Sequence, residues 1–427
     1  MNRRLAALAA LAGAVLFAAP AAAAPVLITG GRIITNTGAP LEGADVLLND
    51  GRVQAVGRNL AAPAGAVRID AAGKWVTPGL FAVISRVGMA EVGLDDSGDI
   101  GVSGDKPLSA ALDAAPAFNP AAAAVAVSRA GGVTRAAIAP DSEGLFAGRG
   151  AIVTLGGAEQ AVLKPRAFML LYAGERGAGV ANGSRAAFWP LLEGALEDAL
   201  AYPARYRGGQ SGAVLGELNA QALQPFALGQ APILIAADRA ADLREVLALK
   251  QRRPALKLAI VGGAEAWRLA GELAAARLPV VVDPMLALPG RFEQLGARLD
   301  NAALLEAAGV PVVIGQTPGG DEAFQARLIT QYAGNAVANG LRWDAAFAAI
   351  SSRAAALLGL SDAGVLKPGA RGDVVIWDGD PLEVSSAAER VFIDGAETPL
   401  RTRQDALLAR YRAIVTPGGG PPPQQRD

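Results

Sequence analysis

The sequence contains neither histidine nor cysteine among its 427 residues. Protein zinc sites are built largely from imidazole and thiolate ligands, so zinc sites of that kind are excluded; the remaining oxygen ligands suit Mg²⁺ or Ca²⁺ better. The absence of imidazole also removes the side chain most often used for general acid–base catalysis near neutral pH. Without cysteine, disulfide bonds and lipoprotein attachment are excluded as well.

The chain also lacks a charge excess of either sign, with 39 basic and 40 acidic residues and a net charge of −1. No basic runs are present, which argues against a nucleic-acid partner. Hydrophobic residues make up 52% of the sequence, enough for one large domain or two ordinary ones. Beyond the N-terminus, no stretch is apolar for long enough to span a bilayer, so we expect no membrane association after processing.

The N-terminal segment has the order of a secretory signal peptide. Arg3 and Arg4 precede an apolar run over residues 5–19, and small residues at 22–24 suit cleavage. An uncleaved anchor is the alternative interpretation. We predict that residues 1–24 are a signal peptide and that the mature protein is periplasmic or secreted.

Short strands separated by turns occupy both ends of the mature chain. The sequence Asn49-Asp50-Gly51 lies between two apolar runs, and Asp-Gly accepts the positive φ of a tight hairpin turn. Residues 365–402 repeat this pattern of strands and Gly-rich turns. We predict that residues 25–76 and 365–402 form one composite β-sandwich.

Between these segments, residues 77–364 alternate apolar runs with helical stretches. Five short runs end in turn residues, at 131–140, 231–238, 256–263, 278–284 and 310–318. Such runs are typical of buried parallel strands, in either a barrel or a doubly wound sheet. No G-x-G-x-x-G sequence follows a strand, so dinucleotide binding is weakly supported. A helix is predicted over 403–415 and a disordered tail over 416–427.

Residues 73–88, GKWVTPGLFAVISRVG, resemble the start of the barrel in the amidohydrolase superfamily. There, a sequence of the type GK-x-V-x-PGLID-x-H-x-H ends the first strand, and its two histidines bind metal. The positions of the Asp and the two histidines are held here by Ala82, Ile84 and Arg86. Residues 332–384 are similar to the closing segment of periplasmic amidohydrolases related to imidazolonepropionase. The resemblance implies an α/β fold, with a TIM-like (β/α)8 barrel beside a small β-sandwich domain.

The same comparison identifies further strand ends whose metal ligands are replaced. The positions that correspond to metal ligands in the family are Ile84, Arg86, Ala236, Gly262 and Thr317. Charged and polar residues that remain near these strand ends form a possible ligand pocket: Arg86, Asp238, Arg239, Glu265, Asp283 and Gln316. In the barrel fold the chemistry lies at the C-terminal strand ends. We therefore assign no catalytic residue, no metal ligand and no cofactor.

Two other segments are weaker candidates. The loop at 93–105 offers Asp95, Asp96, Asp99 and Asp105 as Ca²⁺ ligands, but it lacks the order of a calcium loop and is better interpreted as solvated. The sequence GQSGA at 209–213 does not follow a strand, as a nucleophile elbow would.

Two functions follow from the resemblance. The first is a metal-free pseudoenzyme of the amidohydrolase family with a binding or partner-stabilising role in the periplasm. Its partners would be a small molecule, a second copy, or a catalytically complete amidohydrolase chain. The alternative is a hydrolase of non-peptide carbon–nitrogen bonds that is metal-independent or uses a hard cation on carboxylates, so enzymatic activity is left undecided. A purely structural role has no specific support.

Overall fold

The computed structural model describes residues 24–91, the backbone of 103–104, and residues 108–157, 161–207, 212–316 and 323–415. Several predicted features fall outside these ranges: residues 1–23 of the signal peptide, most of the acidic loop at 93–105, residues 209–211, Thr317 and the tail at 416–427. Within the described ranges, none of the helices has both the length and the hydropathy needed to cross a bilayer.

The strands are β1 Val26–Ile33, β2 Leu41–Asn49, β3 Arg52–Gly57, β4 Val67–Asp70, β5 Trp75–Pro78, β6 Leu80–Ser85, β7 Ser103–Gly104, β8 Val133–Ile138, β9 Asp141–Ser142, β10 Gly148–Thr154, β11 Val162–Tyr172, β12 Ile233–Ala237, β13 Leu258–Gly262, β14 Val280–Val282, β15 Val312–Ile314, β16 Val374–Trp377, β17 Ala388–Ile393 and β18 Ala396–Thr398. The α-helices are α1 Ala123–Ala130, α2 Gly174–Val180, α3 Arg185–Leu200, α4 Glu217–Ala227, α5 Ala240–Arg252, α6 Ala270–Ala275, α7 Asn301–Ala307, α8 Ile329–Ala338, α9 Trp343–Ala349, α10 Ser352–Leu357 and α11 Arg403–Val415.

The first large sheet combines strands from both ends of the chain. Its order is β18-β17-β16-β5-β1-β2-β3, with β4 paired to β1. The two chain ends meet where β16 runs antiparallel to β5, with Val76 opposite Ile376. The predicted hairpin connects β2 and β3, and Asp50 and Gly51 both have positive φ, 48° and 75°. Asp-Gly was therefore a correct signal for this turn.

The second large sheet is a nearly closed barrel with the order β6-β8-β10-β11-β12-β13-β14-β15. Its ends come together without strand pairing: a Cβ added at Gly315, just after β15, would lie 3.2 Å from the Val83 carbonyl oxygen of β6. The absence of a side chain at Gly315 permits this close approach. The predicted TIM-like barrel with an additional β structure is thus confirmed.

The barrel departs from the regular (β/α)8 pattern at one strand. β10 pairs antiparallel with both β8 and β11, whereas the other pairs in the sheet are parallel. The hairpin of β10 and β11 was not predicted, because Lys164, Pro165 and Arg166 interrupt the apolar pattern of β11. The C-terminal ends of β6, β8 and β11–β15 still lie at one end of the barrel, where the cavity described below is found.

A buried ion pair connects the barrel to the first sheet. Arg135 of β8 is fully buried, and its Nε and Nη2 donate to the two carboxylate oxygens of Asp373 at 2.7 and 2.8 Å. Asp394 lies 2.7 Å from the same guanidinium. Burial by itself lowers the pKa of Arg135, but the attraction of Asp373 and Asp394 outweighs it and raises the pKa, so the guanidinium stays charged.

Candidate ligand-binding cavity

The end of the first barrel strand is filled by apolar side chains. Every residue of β6 is buried, and Ile84 packs into the barrel interior with 1% of its surface exposed. Its φ of 57° lies in the left-handed region, which is unusual for a β-branched residue. The half-buried Arg86 lies two residues further on, just after the end of β6, and its side chain has no ion pair with the described residues. An aliphatic side chain thus occupies the place of the first expected metal ligand.

A cavity of about 440 Å³ lies at the C-terminal ends of the neighbouring strands β11, β12 and β13. Two positions selected from the sequence, Ala236 and Gly262, line it, and so does Asp238. The remaining lining residues are Tyr172, Ala173, Arg176, Ala237, Val261, Leu286, Leu288, Gly290, Arg291, Glu293 and Gln294. The cavity therefore combines small and aliphatic walls with a few charged and polar groups, a composition typical of small-molecule sites.

Asp238 is the buried acid of this cavity, with 5% of its surface exposed. Its Oδ2 accepts hydrogen bonds from Gln294 Nε2 at 3.0 Å and Arg291 Nη2 at 3.1 Å. Its Oδ1 accepts one from the Ala264 amide at 3.2 Å. Burial raises the pKa of Asp238; the three donors oppose this rise, and the nearby Glu293 adds to it.

Glu293 is a second buried acid, and its carboxylate is also held by hydrogen bonds and ion pairs. Its Oε2 accepts from the Glu175 amide at 2.9 Å and from Arg185 Nη2 at 3.2 Å, and its Oε1 lies 3.4 Å from Arg291 Nη1. Arg185 also pairs with the buried Asp242. The side chains Asp238, Arg291, Glu293, Arg185 and Asp242 therefore form an alternating charge network. Each of its carboxylates is bound to at least one guanidinium.

Gly262 has no space for a side chain in this arrangement. An added Cβ would lie 2.5 Å from Asp238 Oδ1, and the φ of Gly262 is +89°. Both features require glycine. A metal-binding side chain at position 262 would therefore force Asp238 out of its hydrogen bonds.

Tyr172 and Arg176 form another wall of the cavity. The Arg176 guanidinium lies 3.5 Å from the centroid of the Tyr172 ring, and its Nη2 donates to Asp141 at 2.7 Å. The buried Tyr172 hydroxyl makes no hydrogen bond of ordinary geometry with the described residues, although Asp141 and Arg176 are close enough to affect it. Burial, with Asp141, raises the pKa of Tyr172, so the phenol stays protonated.

Most of the ligand-pocket residues selected from the sequence lie outside the cavity lining. Of the six, Arg86, Arg239, Glu265, Asp283 and Gln316 are not among the lining residues, and only Asp238 is. Arg239 Nη2 donates to Asp242 at 3.3 Å, the Glu265 carboxylate accepts from the Ala240 amide at the start of α5, and Asp283 accepts from the Met285 amide. Gln316 is buried and interacts with other residues. Several of these polar groups therefore stabilise local structure.

The residues that the sequence analysis missed come from two segments. Tyr172 is the last residue of β11, the strand that was not predicted, and Arg176 lies in α2 directly after it. Arg291, Glu293 and Gln294 belong to the segment after β14. The charged pair in Arg291-Phe292-Glu293, which follows a predicted strand, is the sequence signal that could have indicated this second group.

The residues present do not fit the metal site that the resemblance implies. Ile84, Ala236 and Gly262 offer no ligand atoms in their side chains. Within the ranges that the structure describes, no three acidic side chains come together as metal ligands would. The two acids at the cavity already bind guanidinium groups, which repel cations.

Comparison with known proteins identifies the family that the chain resembles. Residues 229–398 match the model of a family described as the amidohydrolase family. The structure superimposes on an amidohydrolase from Thermotoga maritima with a TM-score of 0.79 and 25% identity, covering 88% of this chain and 100% of that one. The chain belongs to the amidohydrolase superfamily.

Other matches are lower in identity or cover less of the chain. A molinate hydrolase structure has a TM-score of 0.55 and 16% identity, covering 88% of this chain and 95% of that one. At this identity the likeness shows a shared fold alone. Among curated proteins, a dihydroorotase of Geobacter sulfurreducens is 41% identical over 85 residues, which is 20% of this chain and 19% of the relative. An amidohydrolase of Hapsidospora irregularis is 34% identical over 87 residues, 19% of this chain and 9% of the relative. The matched segments thus span at most about a fifth of these curated relatives.

Proposed function

We propose that this chain is a non-catalytic, metal-free member of the amidohydrolase superfamily that binds a small polar molecule in the strand-end cavity. The observation that carries the proposal is the alternating charge network. Asp238 and Glu293, the acids that line the cavity, are both held by Arg291 and by further donors. Neither carboxylate is therefore free to bind a cation.

The chemistry of amide hydrolysis supports a non-catalytic role. In metal-dependent hydrolases the metal polarises the carbonyl group and lowers the pKa of bound water to about 7. A site that supplies neither the metal ligands nor imidazole leaves a neutral water facing an unpolarised amide. We infer that the usual mechanism of the superfamily does not operate in this cavity.

The cavity suits binding of a small ligand. Its volume of about 440 Å³ lies in the range of small-molecule sites, roughly 300–1,000 Å³. The guanidinium groups of Arg176 and Arg291 offer hydrogen-bond donors, and Leu286 and Leu288 offer apolar contacts. Because residues 1–24 are predicted to be a signal peptide, we also propose that this binding takes place in the periplasm.

The alternative is hydrolysis of non-peptide carbon–nitrogen bonds without a metal. One observation favours it: Asp238 lines the cavity and has a raised pKa, as general acids and bases in active sites often do. The names of the relatives, a dihydroorotase and amidohydrolases, fit this reaction class. Asp238 would then exchange a proton with the attacking water.

A hydrolysis assay with the Asp238→Asn variant separates the two proposals. We expect the wild-type protein to show no turnover of linear and cyclic amides above the blank, with a metal-loaded superfamily member as positive control. Reproducible turnover would contradict the non-catalytic proposal. If that turnover disappeared in Asp238→Asn and persisted in the surface variant Asp344→Asn, the alternative would be supported, and unchanged turnover in both would reject it.

A further inference from the structure

A second cleft lies between the hairpin of β10 and β11 and the helix α4. Its volume is about 450 Å³, and it shares no lining residue with the strand-end cavity. The described residues that line it are Ala111, Arg149, Arg166, Leu218, Gln221, Ala222, Pro225, Phe226 and Ala231. Two of these side chains are cations and none is an acid. We call this site the arginine cleft.

Arg149 is a nearly buried cation whose charge is poorly balanced. Its side chain is 13% exposed, and the acid with which it pairs among the described residues, Asp113, lies 3.8 Å away. Its Nη2 donates to the Ala111 carbonyl oxygen at 2.7 Å, whereas its Nε is buried and makes no hydrogen bond with the described residues. Burial lowers the pKa of Arg149; Asp113 opposes this effect and Arg166 adds to it. An anion in the cleft would therefore stabilise this guanidinium.

Arg166 reaches the cleft from an irregular part of β11. Residues 165–167 stand opposite Ala151 alone, so the ladder of β10 and β11 is interrupted there. The φ of Arg166 is 54°, in the left-handed region that few residues other than glycine adopt. Irregularities of this kind often redirect a side chain. Arg166 Nε donates to Asp113 Oδ2 at 2.8 Å, and its side chain remains 61% exposed and accessible to a ligand.

The charges around the cleft leave one positive charge in excess. Arg149 and Arg166 both pair with the same carboxylate oxygen, Oδ2 of Asp113. Two guanidinium groups therefore share one acid. A guanidinium binds a carboxylate through two parallel N–H groups. A ligand with one carboxylate would balance the excess charge, whereas a phosphate ester carries about 1.5 to 2 negative charges at neutral pH and would exceed it.

The opposite wall of the cleft is largely apolar. Leu218, Ala222 and Pro225 are spaced by four and three residues in α4, which places them on one face of the helix. Phe226 and Ala231 extend this wall. A ligand held by the arginines would therefore contact α4 with an apolar body.

We propose that the arginine cleft binds a small organic carboxylate. Its carboxylate lies at Arg149 and Arg166, and its apolar body lies against α4. This site goes beyond the proposed function and does not depend on it, because the cleft and the strand-end cavity have no lining residue in common.

Calorimetric titration with benzoate, benzamide and inorganic phosphate tests the chemistry of the ligand. Benzoate carries a carboxylate on an apolar ring, and benzamide has nearly the same shape without the charge. We expect benzoate to bind the wild-type chain, and benzamide to bind at least about tenfold more weakly, since hydrogen bonds between charged groups are the stronger ones. Phosphate should also bind more weakly than benzoate, because it has no apolar body to contact α4. Equal affinity for benzoate and benzamide, or tighter binding of phosphate, would overturn the assignment.

Two variants at exposed positions of the cleft locate the bound benzoate. Arg166→Gln removes a cation, and Gln221→Glu adds a carboxylate of nearly the same size as the amide that it replaces. Each should weaken benzoate binding by about tenfold or more. Arg390→Gln is the matched control, because Arg390 is also a strand arginine with a partly exposed ion pair and lies outside the cleft lining. Melting temperatures should confirm that the variants are folded.

Three results would contradict a carboxylate site in the arginine cleft. One is a wild-type chain that does not bind benzoate at millimolar concentration. Another is binding that persists unchanged in Arg166→Gln and Gln221→Glu, which would place benzoate at another site, the strand-end cavity included. The third is an equal loss of binding in Arg390→Gln, which would show a general effect of net charge.

Discussion

Asp373→Ala should lower the free energy of unfolding by about 3–5 kcal/mol, the cost of leaving a buried charge without its partner. Arg135 is fully buried and donates two hydrogen bonds to the carboxylate of Asp373. In the variant, only Asp394 would remain to balance the charge of the guanidinium. Asp373 also accepts a hydrogen bond from the Asp394 amide, which would be lost as well. Urea denaturation followed by circular dichroism measures the effect.

Two comparison variants show whether the loss comes from the buried charge. Asp344→Ala removes an acid from an exposed pair with Arg342, and we expect a change of less than about 1 kcal/mol. The double variant Arg135→Met/Asp373→Leu removes both charges and should recover much of the lost stability. An Asp373→Ala protein as stable as Asp344→Ala would contradict this interpretation of the contact between the two sheets.

Gly262→Ala should destabilise the protein by about 3 kcal/mol, from two sources of comparable size. Alanine at positive φ costs about 1–2 kcal/mol, and displacement of Asp238 from its hydrogen bonds costs about 1–3 kcal/mol. The φ of +89° and the 2.5 Å approach of an added Cβ to Asp238 Oδ1 are the structural basis. Thermal and urea denaturation report the loss.

Gly309→Ala is the matched control for Gly262→Ala. Gly309 has nearly the same φ, +87°, but an added Cβ there would meet no atom within 4 Å. Only the backbone cost applies, so we expect a loss of about 1–2 kcal/mol. Equal losses in the two variants would show that Asp238 does not occupy the space beside Gly262.

Much of the fold could be predicted from local sequence patterns. The Asp50-Gly51 turn requires positive φ at both residues, and the runs that became β12 to β15 are continuous and apolar because their faces are buried. The hairpin of β10 and β11 could not be predicted in this way. The start of β11 is partly exposed and carries Lys164 and Arg166, so its pattern does not resemble that of a buried strand.

The candidate site was only partly predictable, for a different reason. Ala236 and Gly262 were selected as strand-end positions, and both line the cavity. The side chains that neutralise Asp238, namely Arg291 and Gln294, lie more than fifty residues further along the chain. Their approach depends on the path of the segment after β14, which no local pattern specifies. The same contacts explain how a strand end can lack metal ligands and still hold buried acids.

The central claim, a strand-end cavity without a metal, is tested most directly by metal analysis of the purified protein, with thermal melts in the presence of added Zn²⁺, Mn²⁺ and Ca²⁺. We expect no stoichiometric metal and no shift in melting temperature, since Asp238 and Glu293 are bound by Arg291. Stoichiometric metal with a large stabilisation would contradict the claim, because a ligand that binds only the folded state stabilises it more the more tightly it binds.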